Sequence, residues 1–150
     1  MEANNNKYLF MGDAEDDVET NSKITWEDID VLKVGHHGSD TSSTEQFINK
    51  VLPEMAVISV NSNTNSYGHP SETVIKRLQD KECEIYRTDM NGTILLINEN
   101  GTNKLQMLDT KVNAGKYKKG KKWELNFIEH HNIIVLSKNV KQSITFTNKF

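Results

Sequence analysis

The sequence predicts an α/β layer whose parallel strands are joined by helical crossovers. Two observations carry this expectation. Short apolar runs bounded by glycine or polar turns recur at residues 7–11, 30–34 and 55–60, the pattern of strands covered on both faces. Helical patterns fall between them, and strand–helix alternation is the signature of a parallel sheet.

In chain order, Lys7-Tyr8-Leu9-Phe10-Met11 is the first buried strand, ending at Gly12-Asp13. The acidic stretch 14–21 predicts a short helix. Residues 30–34 form the second strand, broken sharply by Gly35-His36-His37-Gly38-Ser39. Ser42 with Glu45, or Ser43 with Gln46, matches a helix capping box, and Phe47, Ile48 and Val51 then share one helical face. Residues 55–60 are the third strand, followed by a polar loop at 61–66. Tyr67-Gly68-His69-Pro70-Ser71 leads into a second helix, with Ser71 as N-cap and Val74, Ile75 and Leu78 on its apolar side. Strands at 84–88 and 93–98 are joined by Asp89-Met90-Asn91-Gly92, read as a hairpin-type turn.

The last third reads differently. Five lysines surround Tyr117 and Gly120 between residues 116 and 122, the composition of a solvated turn or linker. Beyond it, residues 123–128, 133–136 and 143–147 read as three short strands. The organisation expected is a domain at 1–110, a lysine-rich linker at 111–122 and a β-rich extension at 123–150.

Composition narrows the function. Hydrophobic residues make up 35% of the 150 and the formal net charge is −3, which excludes a strongly basic nucleic-acid binder and an acidic solvating tail. No apolar run approaches the roughly 18 residues of a membrane helix. The first residues show no basic region followed by an apolar stretch, so a cytoplasmic location is the default expectation. Cys83, the lone cysteine, cannot form an intramolecular disulfide or a cysteine-based zinc site.

Four polar clusters follow strand ends: Gly12-Asp13, His36-His37-Gly38-Ser39, Gly68-His69-Pro70-Ser71 and Asp89-Met90-Asn91-Gly92. Ligands in open α/β sheets sit beyond the carboxyl ends of the strands, and a carboxylate with several imidazoles suits zinc, iron or manganese. Each cluster also has a plain reading. Asp13 serves equally as a turn aspartate, His69 as a loop residue before proline, and Asp89 as turn chemistry. The adjacent histidines in a glycine-flanked turn are harder to explain by packing.

In order, Phe10-Met11-Gly12-Asp13-Ala14-Glu15, Asp30-Val31-Leu32-Lys33-Val34-Gly35-His36-His37-Gly38-Ser39, Tyr67-Gly68-His69-Pro70-Ser71 and Tyr86-Arg87-Thr88-Asp89-Met90-Asn91-Gly92-Thr93-Ile94 resemble the metallo-β-lactamase-fold hydrolases of the ComEC/Rec2-related branch. The resemblance spans residues 7 to 97. It implies that Asp13 bridges two metals and that His37 is the last metal-binding histidine. His36 is the fallback ligand, or a group that contacts substrate. His69 lies near the mouth, where it contacts phosphate, shuttles a proton or orients the loop. Asp13, His37 and His69 are thus the implied catalytic residues, and Asp13, His37 and His36 the implied metal set. Ser39 is expected to open a helical segment whose amides receive an anion. Two zinc or manganese ions would activate a bridging water, commonly for phosphodiester hydrolysis.

The departure from the family is equally informative. Its His-x-His-x-Asp-His cluster is absent, and the five histidines stand at 36, 37, 69, 130 and 131. The family places that cluster upstream of the Gly-Asp strand. The fold implied is therefore the C-terminal half of an αββα metallo-β-lactamase sandwich followed by a short β-rich tail. Such a chain is expected to be inactive alone, to take its N-terminal half from another chain, and to act on an anionic substrate such as a phosphodiester or nucleic acid. The alternative is a non-catalytic interaction module that binds an anionic partner through the lysine-rich segment.

Overall fold

The computed structural model describes residues 1–21, 23–61, 66–99, 102–108, 123–127 and 133–138. The apolar runs become the parallel sheet that the alternation predicts. β1 (Glu2–Ala3) pairs antiparallel with β2 (Asn6–Phe10), and β2, β3 (Val31–Lys33), β4 (Met55–Ile58) and β5 (Glu84–Arg87) follow side by side in parallel. The register aligns Leu9, Leu32, Ala56 and Ile85 on one face of this sheet. Phe10, Lys33, Val57 and Tyr86 lie across the other, as strand alternation requires.

Those two faces meet different partners, which explains why the strands read as continuous apolar runs. Leu32, Val34, Ala56 and Ile58 pack with Phe47, Ile48 and Val51 of α2 (Glu45–Val51) and Val74 and Leu78 of α3 (Glu72–Gln79). A single helical turn, α1 (Asp16–Glu19), follows β2. On the opposite face Tyr8, Val31 and Val57 pack against Ile94 and Leu96. The latter two belong to β6 (Thr93–Glu99), in a second sheet ordered β7 (Thr102–Leu108), β6, β9 (Ile133–Lys138), β8 (Trp123–Phe127). The layers are therefore helices, parallel sheet, second sheet. The second sheet is mixed: β6 pairs antiparallel with β7 and parallel with β9, and β8 pairs antiparallel with β9.

A buried polar seam joins the two sheets. Asn98 Nδ2 approaches Asn6 Oδ1 at 2.8 Å, the Tyr8 hydroxyl at 2.9 Å and Asn103 Oδ1 at 2.9 Å, and the Tyr8 hydroxyl donates to Asn103 Oδ1 at 2.6 Å. Burial pushes the Tyr8 phenol up to about 12. Paired polar groups in an apolar interface fix one registration of its layers, because any slip leaves them unsatisfied.

Three local expectations change. Residues 89–92 do not join a hairpin: Thr88–Asn91 is one helical turn, α4, that carries the chain from β5 in the first sheet to β6 in the second. Arg87 locks it, donating from Nε and Nη2 to the two Asp89 oxygens at 3.0 and 2.7 Å while its amide donates to Asn91 Oδ1. The cap of α2 is Thr44, whose side chain accepts from the Phe47 amide; Ser42 and Ser43 are fully buried. Ser39 opens no helix. It is buried in a turn, and its amide donates to the His36 carbonyl at 2.9 Å.

The expected strands at 123–128 and 133–136 correspond to β8 and β9. The lysine-rich segment and the strand expected at 143–147 lie outside the described residues. No helix among the described residues is long and apolar enough to cross a membrane.

Candidate functional site

The carboxyl ends of β2, β3 and β4 are neighbours in the parallel sheet, so the segments that follow them converge at one edge. Asp13 arrives three residues after β2. His36 and His37 arrive in the 3₁₀ turn Gly35–Gly38 that follows β3. Ser59 immediately follows β4. Two backbone bonds tie the segments together: the His36 amide donates to the Gly12 carbonyl at 2.9 Å, and the Val34 amide to the Val57 carbonyl at 3.0 Å.

This brings Asp13 and His37 together. His37 Nε2 lies 3.9 Å from Asp13 Oδ1, while its Nδ1 lies 2.7 Å from the Ser59 carbonyl oxygen. A carbonyl only accepts, so the neutral ring carries its proton on Nδ1 and turns the Nε2 lone pair toward the carboxylate. That is the arrangement in which a backbone carbonyl orients a metal-ligating histidine. Asp13 itself is largely solvent-exposed.

His36 sits differently. Its Nδ1 is 2.9 Å from Glu15 Oε1, an approach too oblique for a directed hydrogen bond. The same Glu15 oxygen accepts from the Thr41 hydroxyl at 3.0 Å. Both histidines occupy left-handed backbone, at φ 44° and 56° respectively. Residues other than glycine adopt it uncommonly, histidine more readily than most, and Ser43, Leu52 and Glu82 share it elsewhere in the chain.

His69 reaches the same place from the loop before α3. Its ring centroid is 5.8 Å from that of His36. Gly38 fixes this approach. At φ 81° it favours glycine, and a Cβ there would stand 2.6 Å from Pro70 Cβ. The Gly38 carbonyl also accepts from the Ser71 amide at 2.8 Å. Burial, followed by the neighbouring His36 and His37, holds the His69 imidazolium below the ordinary histidine value of 6.5, with Asp40 opposing.

Four contributors were not singled out in the sequence. Ser59 orients His37 through a backbone oxygen, which no residue pattern reveals. Glu15 had only its place two residues after Asp13. Lys33, at the end of β3, is buried on the face toward the second sheet; burial holds its ammonium below the ordinary lysine range against the pull of Asp13. A lysine inside an otherwise apolar strand was the available signal. Tyr67 is 84% exposed and stacks on His69, with ring centroids 6.0 Å apart and planes at 16°.

The donor types fit a divalent cation, since a carboxylate oxygen and an oriented imidazole nitrogen face one another at the open end of the sheet. Their number does not complete a centre. Among the described residues no three histidine, cysteine or acidic side chains converge as metal ligands, whereas catalytic zinc takes about three from the protein.

The chain is 42% identical over 96 residues to ComE operon protein 3 of Bacillus subtilis, a match covering 63% of this chain and 12% of that protein. It is 45% identical over 64 residues to competence protein ComA of Neisseria gonorrhoeae, covering 43% of this chain and 9% of that protein. Recombination protein 2 of Haemophilus influenzae is 37% identical over 89 residues, which cover 59% of this chain and 11% of the relative. The matched stretch is thus about a tenth of each relative's length. No family model matches the chain.

Proposed function

We propose that this chain supplies the Asp13–His37 portion of a metal-dependent hydrolase of the metallo-β-lactamase type, acting on phosphodiesters in a competence-related setting. The observation that carries the reading is the pairing of Asp13 Oδ1 with His37 Nε2 at 3.9 Å while Nδ1 is engaged by the Ser59 carbonyl. A carboxylate beside an oriented imidazole at the carboxyl edge of a parallel sheet is suited to hold divalent cations.

In this reading Asp13 and His37 hold zinc or manganese, and the other ligands come from a segment bearing the His-x-His-x-Asp-His cluster. Cations bound there would supply Lewis-acid stabilisation of the charge that develops on a phosphodiester. His36 and His69 line the approach. His69 is held mostly neutral near pH 7 and is suited to accept a hydrogen bond or a proton from what arrives. The similarity to proteins named for competence and recombination favours a nucleic-acid phosphodiester over other esters.

The test is hydrolysis of bis(p-nitrophenyl) phosphate with added manganese or zinc. The expected result is background turnover by the chain alone. Turnover should appear when a segment bearing the His-x-His-x-Asp-His cluster is supplied, and vanish in Asp13→Ala or His37→Ala. Robust turnover by the chain alone, abolished by Asp13→Ala, contradicts the incompleteness. Complemented turnover indifferent to both substitutions contradicts the site.

A further inference from the structure

An exposed aromatic ring beside a polar site offers a flat apolar face to whatever enters it. Tyr67 is 84% exposed, yet it is not adrift. Its ring lies nearly parallel to His69, and the loop that carries both is clamped by the close packing of Gly38 on Pro70 and the bond from the Ser71 amide to the Gly38 carbonyl. From Tyr67 inward the rings form a sequence. Centroids are 6.0 Å apart from Tyr67 to His69, 5.8 Å from His69 to His36 and 6.4 Å from His36 to His37, beyond which Asp13 lies 3.9 Å away. A flat, exposed π-surface therefore stands at one end of a track whose other end is the carboxylate–imidazole pair.

We propose that Tyr67 is a base-stacking residue of this site: it receives a nucleobase on its ring while a phosphodiester farther along the same strand rests by His36 and His37. The inference rests on the phosphodiesterase reading and adds to it a residue and a ligand group. An aromatic face stacks any base, whereas a simple phosphodiester has nothing to offer it. A paired base keeps its faces covered by its neighbours, so the ligand is an unstacked nucleotide, as in a flexible single strand.

The experiment measures binding to the full chain of two fluorescently labelled strands of equal length, oligothymidylate and its abasic counterpart, by anisotropy. The expected result is tighter binding of oligothymidylate. Tyr67→Ala should weaken that binding about 5- to 150-fold, the span of base–aromatic stacking measured by alanine substitution. It should leave the abasic strand unchanged, and Tyr67→Phe should keep the wild-type preference. Equal binding of the two strands by the wild type, or a Tyr67→Ala variant that binds oligothymidylate as the wild type does, overturns the stacking role. If the abasic strand still weakens in His37→Ala in that case, the phosphodiester site stands without it. Failure of the wild type to bind either strand contradicts both.

Discussion

His37 Nδ1 and the Ser59 carbonyl oxygen are 2.7 Å apart, a bond between the turn after β3 and the residue after β4. It fixes the imidazole from behind and presents its other nitrogen to Asp13. Three adjacent strands thus determine one side-chain direction. The left-handed backbone of His37 is thereby held in place by the sheet around it.

Left-handed backbone also predicts an ordering of variants. His36 has φ 44°, which alanine tolerates poorly and glycine well. His36→Gly and His36→Ala both remove the imidazole and its approach to Glu15, so their difference isolates the backbone. The glycine variant is expected to be the more stable by about 1 kcal/mol, measured by urea denaturation. An alanine variant as stable as the glycine variant contradicts the strained backbone.

Gly38 is the pivot between the two histidine segments. Gly38→Ala places a methyl group 2.6 Å from Pro70 Cβ at φ 81°. The expected loss is about 2 kcal/mol or more. His69 ring resonances should also shift, as the loop moves away from His36. Unaltered stability and spectra would argue that the loops are not clamped there.

Glu19 is buried, and its two oxygens accept from the Ser43 and Thr44 amides at 2.6 and 2.8 Å. It ties α1 to the start of α2 beneath the site. Glu19→Ala leaves two donors unsatisfied and is expected to cost at least about 2 kcal/mol. Denaturant midpoints check this, and a change below about 0.5 kcal/mol would mean that water replaces the carboxylate freely.

Acidification acts through His69. Its folded value lies below the ordinary 6.5, so between the two values the unfolded chain binds more protons than the folded one. Stability therefore rises with pH across that window and falls as pH drops through it. The drop should be shallower in His69→Gln, followed by melting temperature from about pH 7.5 to pH 5. A His69 ring that titrates at or above 6.5 by NMR contradicts the assignment.

Much of this architecture was legible in the sequence because strands covered on both faces leave a plain trace. Leu9, Leu32 and Ala56 face the helices while Tyr8, Val31 and Val57 face β6, so apolar residues run without alternation. Ser71 was also legible, since a serine before an apolar helical pattern caps it; its hydroxyl accepts from the Thr73 amide. The hairpin expected at 89–92 fails because Asn91-Gly92 signals a tight turn without saying which strand comes next. There Thr88–Asn91 forms a helical turn braced by the Arg87–Asp89 pair, and the strand that follows joins the other sheet. Strand β7 has a weaker trace, the Asn100-Gly101 pair between Glu99 and Thr102, which pair across β6 and β7.

At the site, the family resemblance pointed to Asp13 and named His37 as the ligand and His36 as the fallback, a distinction that the residue types alone do not carry. His36 and His37 are adjacent and chemically identical. Only the fold turns His37 toward Asp13 and His36 toward Glu15. Tyr67 was hidden for a related reason: an exposed tyrosine and a core tyrosine look alike until the neighbouring rings are placed.

The pairing of Asp13 with His37 is tested most directly by cation binding. Manganese is titrated into the wild-type chain, Asp13→Ala, His37→Ala and the double variant by calorimetry, with electron paramagnetic resonance reporting the bound ion. The wild type should bind, each single variant should lose about tenfold or more, and the double variant should lose less than the sum of the two, because both side chains hold one ion. Four indistinguishable titrations would mean that this carboxylate and imidazole are neighbours without a shared cation.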